Sequence, residues 1–293
     1  MTVSPRPNLF LIGAMKSGTT TLHSLLASHP DIFMCEPKEP CYFVIPEQLK
    51  IIWPDLWRKR YWENEKRYLD LFSEVTTERI IGEASTEYTK APLLTDIPKR
   101  IAAFAPEARF IYVMRNPVER TISHFWHYAN VYANVRDPLE TIKADPHYCE
   151  VSDYAMQLKR YLEYFSIEQF YILTFEEFKT DPKKTIQDIY QWLGVDHEFI
   201  PDNLYAIKNV TPYKIPHARG LGLLHKIRFS KFWDKIGHHV PTGVRSIARE
   251  MSVKHIDKTE VDIERLRTYL KEHMSEKIKT LSTLLNRSFP EWE

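Results

Sequence analysis

Leu11-Ile12-Gly13-Ala14-Met15-Lys16-Ser17-Gly18-Thr19-Thr20-Thr21-Leu22 is the stretch that decides the fold. An apolar strand, read over Asn8–Gly13, passes through two glycines into a helix that the pattern starts at Thr19 and carries to Ser28. Strand, glycine loop and helix N-terminus together make an anion cradle, because backbone N–H groups converge on the ligand and the helix dipole favours negative charge. Gly13 and Gly18 let the backbone turn tightly and approach that ligand. The hydroxyls of Ser17, Thr19, Thr20 and Thr21 add donors, and one of them is expected to cap the helix. The glycine spacing is that of the magnesium-nucleotide loop G-x-x-x-x-G-K-[ST], but Thr19 stands where its lysine belongs and Lys16 lies inside the loop instead. A magnesium–triphosphate site also wants an acid at the end of an apolar strand, and the strand Arg109–Met114 runs into Arg115. The plainer alternative is a turn that merely starts an ordinary helix.

Outward from the loop, short apolar runs alternate with amphipathic stretches over the first 200 residues, the pattern of βαβ units around a parallel sheet. Strands are expected at Asn8–Gly13, Arg79–Glu83, Arg109–Met114 and Gln169–Thr174, with apolar content suited to burial on both faces. Helices are expected at Thr19–Ser28, around Glu63–Phe72, and at Pro92–Phe104, Val118–Val131, Val151–Phe165 and Lys183–Leu193, the last closed by Gly194. Pro201–Gly222 reads as loop, and a final helix spans Val261–Leu285. The fold class expected is α/β, a three-layer α/β/α arrangement on a central, mainly parallel sheet. Residues 1–293 form one domain in this reading, with residues 260–293 packing a C-terminal helix on the core.

Composition narrows the function classes. With 40 Lys+Arg against 39 Asp+Glu the net charge is +1, which speaks against a surface given over to nucleic acid, and no nucleic-acid partner is expected. Only 8 glycines occur where average usage of ~7% predicts about 20, so their placement is informative: Gly13, Gly18 and Gly82 all fall at the candidate site. Cys35, Cys41 and Cys149 show neither a disulfide framework nor metal-ligand spacing, so no metal is expected and the thiols read as reduced and structural. No run of 18 apolar residues and no signal-peptide pattern occurs, and a cytoplasmic location is the expectation.

Two further constellations carry chemistry. In Arg109–Tyr128 (RFIYVMRNPVERTISHFWHY) a buried strand ends at Arg115, Pro117 opens a helix, and Ser123 follows eight residues after the arginine. An arginine at the carboxyl end of a parallel strand reaches the crevice where such sheets bind ligands, and its planar fork suits a terminal phosphate. Ser123 can donate a hydroxyl to the same group; the alternative is an arginine paired with Glu119 beside a solvated serine. In Ile80–Tyr88 (IIGEASTEY) Glu83 closes a core strand beside the loop, where it is placed for a base role. A strand-end carboxylate pairing structurally with Lys16 or Arg115 is the alternative, and Glu87 is the competing base.

The loop AMKSGTTTL after a strand resembles the 5′-phosphosulfate loop of the sulfotransferases that use 3′-phosphoadenosine 5′-phosphosulfate (PAPS), and the likeness runs through His29-Pro30 and Glu36-Pro37-Lys38-Glu39-Pro40 to the C-terminal helix. Arg115…Ser123 is similar to the family's 3′-phosphate motif, and Glu83…Tyr88 to its E-x-[ST]-x-x-Y motif, whose Glu is the base in carbohydrate-modifying members. The likeness is closer to that Glu-base carbohydrate and bacterial type than to the cytosolic His-base type, whose R-K-G-x-x-G-D-W segment is missing. It implies a P-loop NTPase-like sulfotransferase fold, PAPS as co-substrate without a metal, and transfer of a sulfuryl group to a hydroxyl or amine by in-line attack. Glu83 would be the base and Lys16 would stabilise the leaving phosphate. Ser17, Gly18, Thr19, Thr20 and Thr21 would hold the 5′ end with Lys16, and Arg115 and Ser123 the 3′-phosphate. Those relatives often carry Lys directly after the Glu; Ala84 stands here, which weakens the inference to a sulfated, polyanionic glycan acceptor.

Lesser signals remain. Lys38 is a candidate wall of the acceptor cleft. His124 and His127 read as structural, and Tyr154 as core. Lys208, Lys214 and Arg219 are candidates for closing on the 3′-phosphate. The basic stretch 221–250 reads as a solvated helical face, with a lid against a lipid or an anionic acceptor as the sharper alternative. The acceptor is thus a small molecule, a lipid or a glycan. A Mg-ATP-dependent kinase or NTPase and a non-catalytic nucleotide-binding module are the competing classes.

Overall fold

The computed structural model describes residues 5–206, 211–218 and 253–292. The stretch 221–250, Lys208 and Arg219 lie outside the described residues. In chain order the elements are β1 (Leu9–Gly13), α1 (Thr19–Leu26), β2 (Ile32–Met34), α2 (Pro46–Ile52), α3 (Pro54–Arg58), α4 (Glu65–Leu69), β3 (Ile80–Ala84), α5 (Ile97–Phe104), β4 (Arg109–Met114), α6 (Pro117–Tyr132), α7 (Pro138–Ala144), α8 (His147–Glu150), α9 (Tyr154–Leu162), β5 (Phe170–Thr174), α10 (Phe175–Thr180), α11 (Pro182–Leu193), β6 (Lys214–Ala218), β7 (Val253–Asp257) and α12 (Glu264–Leu285). By packing, the chain divides into two compact units. One comprises Met1–Thr121, His147–Asn209 and Lys271–Glu293; the other Ile122–Pro146 and Val210–Leu270.

The first unit is built on a five-stranded parallel sheet in the order β2-β3-β1-β4-β5. Successive strand residues face opposite ways. Leu9 and Leu11 therefore join Leu22, Leu25 and Leu26 of α1 and Ile186, Ile189 and Leu193 of α11 in one core. Phe10 and Ile12 join Ile97 and Ile101 of α5, Leu158 and Tyr161 of α9 and Leu281 of α12 in the other. Two cores on two faces make the three-layer α/β/α arrangement expected from the continuous apolar runs. The sheet leads the glycine loop and Glu83 to the same carboxyl edge, with Phe10 paired to Glu83 and Leu11 to Ala84.

Several boundaries differ from expectation. The helix around Glu63–Phe72 is broken: the Asn64 side chain accepts from the Arg67 N–H to cap α4, and 3-10 turns flank it at Tyr61–Glu63 and Asp70–Phe72. The helix expected from Pro92 begins only at Ile97, after Asp96 turns left-handed with φ 61°. Asp153 and Asp181 accept first-turn N–H groups and fix the starts of α9 and α11, and Gly194 (φ 72°) ends α11 as expected. Within Pro201–Gly222, read as loop, Lys214–Ala218 is a strand. It pairs antiparallel with β7 in the second unit. There the Val135 N–H donates to His217 Nδ1 (3.0 Å) and Lys258 lies over the Trp126 ring. Among the described residues no helix is long and apolar enough to cross a membrane. Cys35, Cys41 and Cys149 are buried and outside any disulfide.

Candidate active site

β1 hands the chain to the loop at Gly13, whose φ of 146° only glycine adopts readily. A Cβ there would sit 2.2 Å from Thr89 Oγ1, itself bonded to the Ile12 carbonyl (2.9 Å). Gly18 has φ 84°, and its Cβ would meet the Phe175 ring at 2.8 Å. Both glycines are thus required by close approach as well as by backbone angle. Lys16 takes a left-handed conformation (φ 71°) at the turn between them, and the Ala14 N–H is tied to the Val113 carbonyl (2.7 Å). α1 starts at Thr19 behind Gly18, so the N-cap position is a glycine in the left-handed region and not one of the hydroxyl residues expected there. Ser17 Oγ is buried with no hydrogen-bond partner among the described residues, an orphaned donor inside the loop.

Arg115 leaves the end of β4 toward this loop. Its Nη1 donates to the Lys16 carbonyl (3.0 Å), and its guanidinium lies over the Phe175 ring at 5.1 Å. Tyr154, read as core, is buried as expected, but its hydroxyl also accepts from the Arg115 N–H (3.2 Å) and donates to the Arg115 carbonyl (2.7 Å). Arg115 forms no ion pair with a carboxylate among the described residues, so the pairing with Glu119 is not what holds it. Burial makes its charged form more costly and lowers its pKa, with nearby Glu176 opposing. Ser123 is half-buried on α6, and it and the histidines His124 and His127 belong to the second unit.

Glu83 is fully buried within β3. Its Oε1 accepts from Tyr68 Oη and Tyr88 Oη, both at 2.8 Å, and its Oε2 from Ser85 Oγ at 3.1 Å. All of its hydrogen bonds come from hydroxyls, so it is not spent on an ion pair with Lys16 or Arg115. Burial, opposed by the three hydroxyls and helped by a smaller push from the Glu39 charge, leaves its carboxyl raised to about 7. A carboxylate poised near neutrality is suited to accept a proton at physiological pH.

Glu87, the competing base, turns into a buried pair with Lys90 (2.5 Å), and Lys90 sits over the Trp53 ring. Burial raises its pKa against the pull of Lys90. Lys38 pairs with Glu39, whose Oε2 accepts from the Thr86 N–H (2.7 Å) and whose N–H donates to the Ala84 carbonyl (2.9 Å). The Glu36–Pro40 segment thereby lies along the end of β3, next to Glu83. Tyr68 carries no sequence signal of a site residue. It lies 15 positions before Glu83 in the short helix α4, and no motif marks it.

A sulfotransferase family model matches residues 7–199, so the chain belongs to the sulfotransferase family. It is 28% identical over 207 residues to the human bifunctional heparan sulfate N-deacetylase/N-sulfotransferase 3, a match covering 64% of this chain and 22% of that protein. Carbohydrate sulfotransferase 15 of Rattus norvegicus is 27% identical over 249 residues, covering 64% of this chain and 44% of its own. The chain thus spans less than half the length of these curated relatives. Among solved structures, a sulfotransferase from Alicyclobacillus acidocaldarius shares the fold, with a TM-score of 0.68 at 24% identity, covering 98% of this chain and 99% of its own.

Proposed function

We propose that this chain moves a sulfuryl group from PAPS to a hydroxyl or amine of an acceptor. The observation that carries the reading is Glu83: a carboxylate raised to about 7 by burial against the pull of three hydroxyls, on the strand paired to the one that feeds an anion loop. The loop's chemistry supports a phosphosulfate, since Ser17 Oγ lacks a partner among the described residues and Lys16 supplies charge where the leaving phosphate would lie. Arg115, which carries no carboxylate on its fork among the described residues, suits the 3′-phosphate, and the motif likeness adds Ser123. The N–H groups and hydroxyls of Gly18, Thr19, Thr20 and Thr21 would complete the 5′ cradle.

In the reaction the acceptor oxygen or nitrogen bonds to sulfur in line with the breaking sulfur–oxygen bond to the 5′-phosphate. An acceptor group takes the place of one of the three hydroxyls on Glu83, and Glu83 receives its proton. Lys16 meets the charge that develops on the phosphate oxygen, and 3′-phosphoadenosine 5′-phosphate leaves. Lys38 and Glu39 border the acceptor's approach. The relatives' names favour a glycan among the acceptor classes.

Titration with 3′-phosphoadenosine 5′-phosphate and with ATP, each with Mg²⁺ and with EDTA, tests the class. Tight binding of the former in EDTA, weakened in Arg115→Ala, is expected. A response to Mg-ATP alone, lost on chelation, would instead make the chain a kinase or NTPase.

A further inference from the structure

We propose that Trp292 is a positioning residue for donor binding, holding the Glu176 carboxylate away from Arg115 so that the guanidinium stays available for the donor's terminal phosphate. The inference rests on the reading of Arg115 given above. Three hydrogen bonds close a circuit beside that arginine. The Asn116 N–H donates to Glu176 Oε1 (3.1 Å), Trp292 Nε1 donates to Glu176 Oε2 (3.1 Å), and Asn116 Nδ2 donates to the Trp292 carbonyl (2.9 Å). Asn116 Oδ1 meanwhile accepts from the Val118 and Glu119 N–H groups at the start of α6. One side chain therefore ties the helix start to the C-terminal segment.

Glu176 follows Phe175, the ring under the Arg115 guanidinium, and its charge is felt by Arg115. Yet both of its oxygens are occupied in the circuit, and no ion pair joins it to Arg115 among the described residues. A carboxylate whose charge reaches a half-buried guanidinium is a natural partner for it and would compete with a phosphate for the same fork. The Trp292 indole prevents that by holding one oxygen. The indole is itself held: its ring stacks on Phe289 at 4.2 Å, it approaches Tyr154 at 5.9 Å, and Arg287 anchors the segment through Glu177 (2.7 Å). Tyr154 in turn holds the Arg115 backbone through its hydroxyl.

The test is a double-mutant cycle read by calorimetric titration of the full chain with 3′-phosphoadenosine 5′-phosphate. Trp292→Phe keeps a stacking ring and removes only the donor, and its affinity should fall about tenfold, the worth of one charge-assisted pair. Glu176→Gln cannot neutralise Arg115; alone it should bind at least as tightly as the parent. In Trp292→Phe it should restore affinity to within about twofold, with kcat at saturating donor unchanged throughout. Unchanged affinity in Trp292→Phe, a loss that Glu176→Gln does not rescue, or weaker binding in Glu176→Gln alone would each overturn the inference. If the parent chain does not bind the nucleotide, or Arg115→Ala binds as well as the parent, the reading of Arg115 falls and the inference with it. Failure of the cycle alone leaves Arg115 standing.

Discussion

Replacing Tyr68 by Phe removes one hydroxyl from Glu83 and leaves the ring in place. The ring lies stacked on Tyr42 at 4.1 Å with an interplanar angle of 3°, so the packing of α4 survives the change. The Tyr68 bond to Glu83 Oε1 (2.8 Å) favours the ionised carboxylate, which sits near 7 under the opposing weight of burial. A hydrogen bond to a charged group contributes about 1.5–3 kcal/mol, and 1.36 kcal/mol corresponds to one pH unit. Tyr88 and Ser85 still donate, so the lower end applies, and the acid limb of the kcat/KM profile should move up by about one pH unit. At pH 7 the ionised fraction then falls from about half to about a tenth, and activity falls roughly fivefold, recovering at higher pH. The assay is sulfate transfer from labelled donor between pH 5.5 and 9.5, with nucleotide affinity measured in parallel and expected to stay constant. An acid limb that stays put or moves down, or a loss that higher pH does not recover, would refute the role of Glu83 as the titrating base.

Glu83→Gln should abolish transfer while keeping nucleotide binding, and retained turnover would sink the base assignment. The same variant tests the burial directly. A carboxyl near 7 in the fold and near 4.5 in the open chain contributes stability that is full below 4.5 and lost as pH rises through 7. Denaturant melts above pH 7 should therefore show Glu83→Gln the more stable by roughly 3 kcal/mol at most. Lys16→Ala should lower kcat by at least about a hundredfold with a smaller effect on nucleotide affinity, as expected for a cation acting mainly on developing charge; the two constants are separated by single-turnover and equilibrium measurements. Gly13→Ala meets both the positive φ and the Thr89 hydroxyl, and should cost roughly 1–3 kcal/mol in thermal or denaturant unfolding and weaken nucleotide binding.

Local pattern reaches as far as local forces do. β1, β3, β4 and β5 are legible because each is an apolar run of five or six residues, whereas β2 has three residues between Pro30 and Pro37 and offers too short a pattern. β6 and β7, KIPHA and VKHID, carry a proline and charges and look like loop until they pair. The glycine loop and Arg115 could be read because backbone geometry and charge at a strand end are sequence-local properties. The full burial of Glu83 could not, since Tyr68 comes from a separate helix whose place is set by Phe43, Phe72 and Phe104 around its ring. Glu87 and Lys90 stand three apart in the chain, but only the fold hides both from water and turns an ordinary surface pair into a buried one.

The wall around Glu83 also contains its own chemical probe. The Cys41 N–H donates to Ser85 Oγ (3.1 Å), the hydroxyl that bonds Glu83 Oε2, and Cys35 begins the segment that runs past the same strand end. Burial pushes both thiols well above their ordinary range, so in the closed wall they are slow nucleophiles toward alkylating reagents at neutral pH. An acceptor that parted Ser85 from Glu83 would disturb the hydroxyl to which the Cys41 N–H is bonded. Cys41 alkylation in the parent chain, followed by mass spectrometry with and without unlabelled compounds, would report such a disturbance as faster modification.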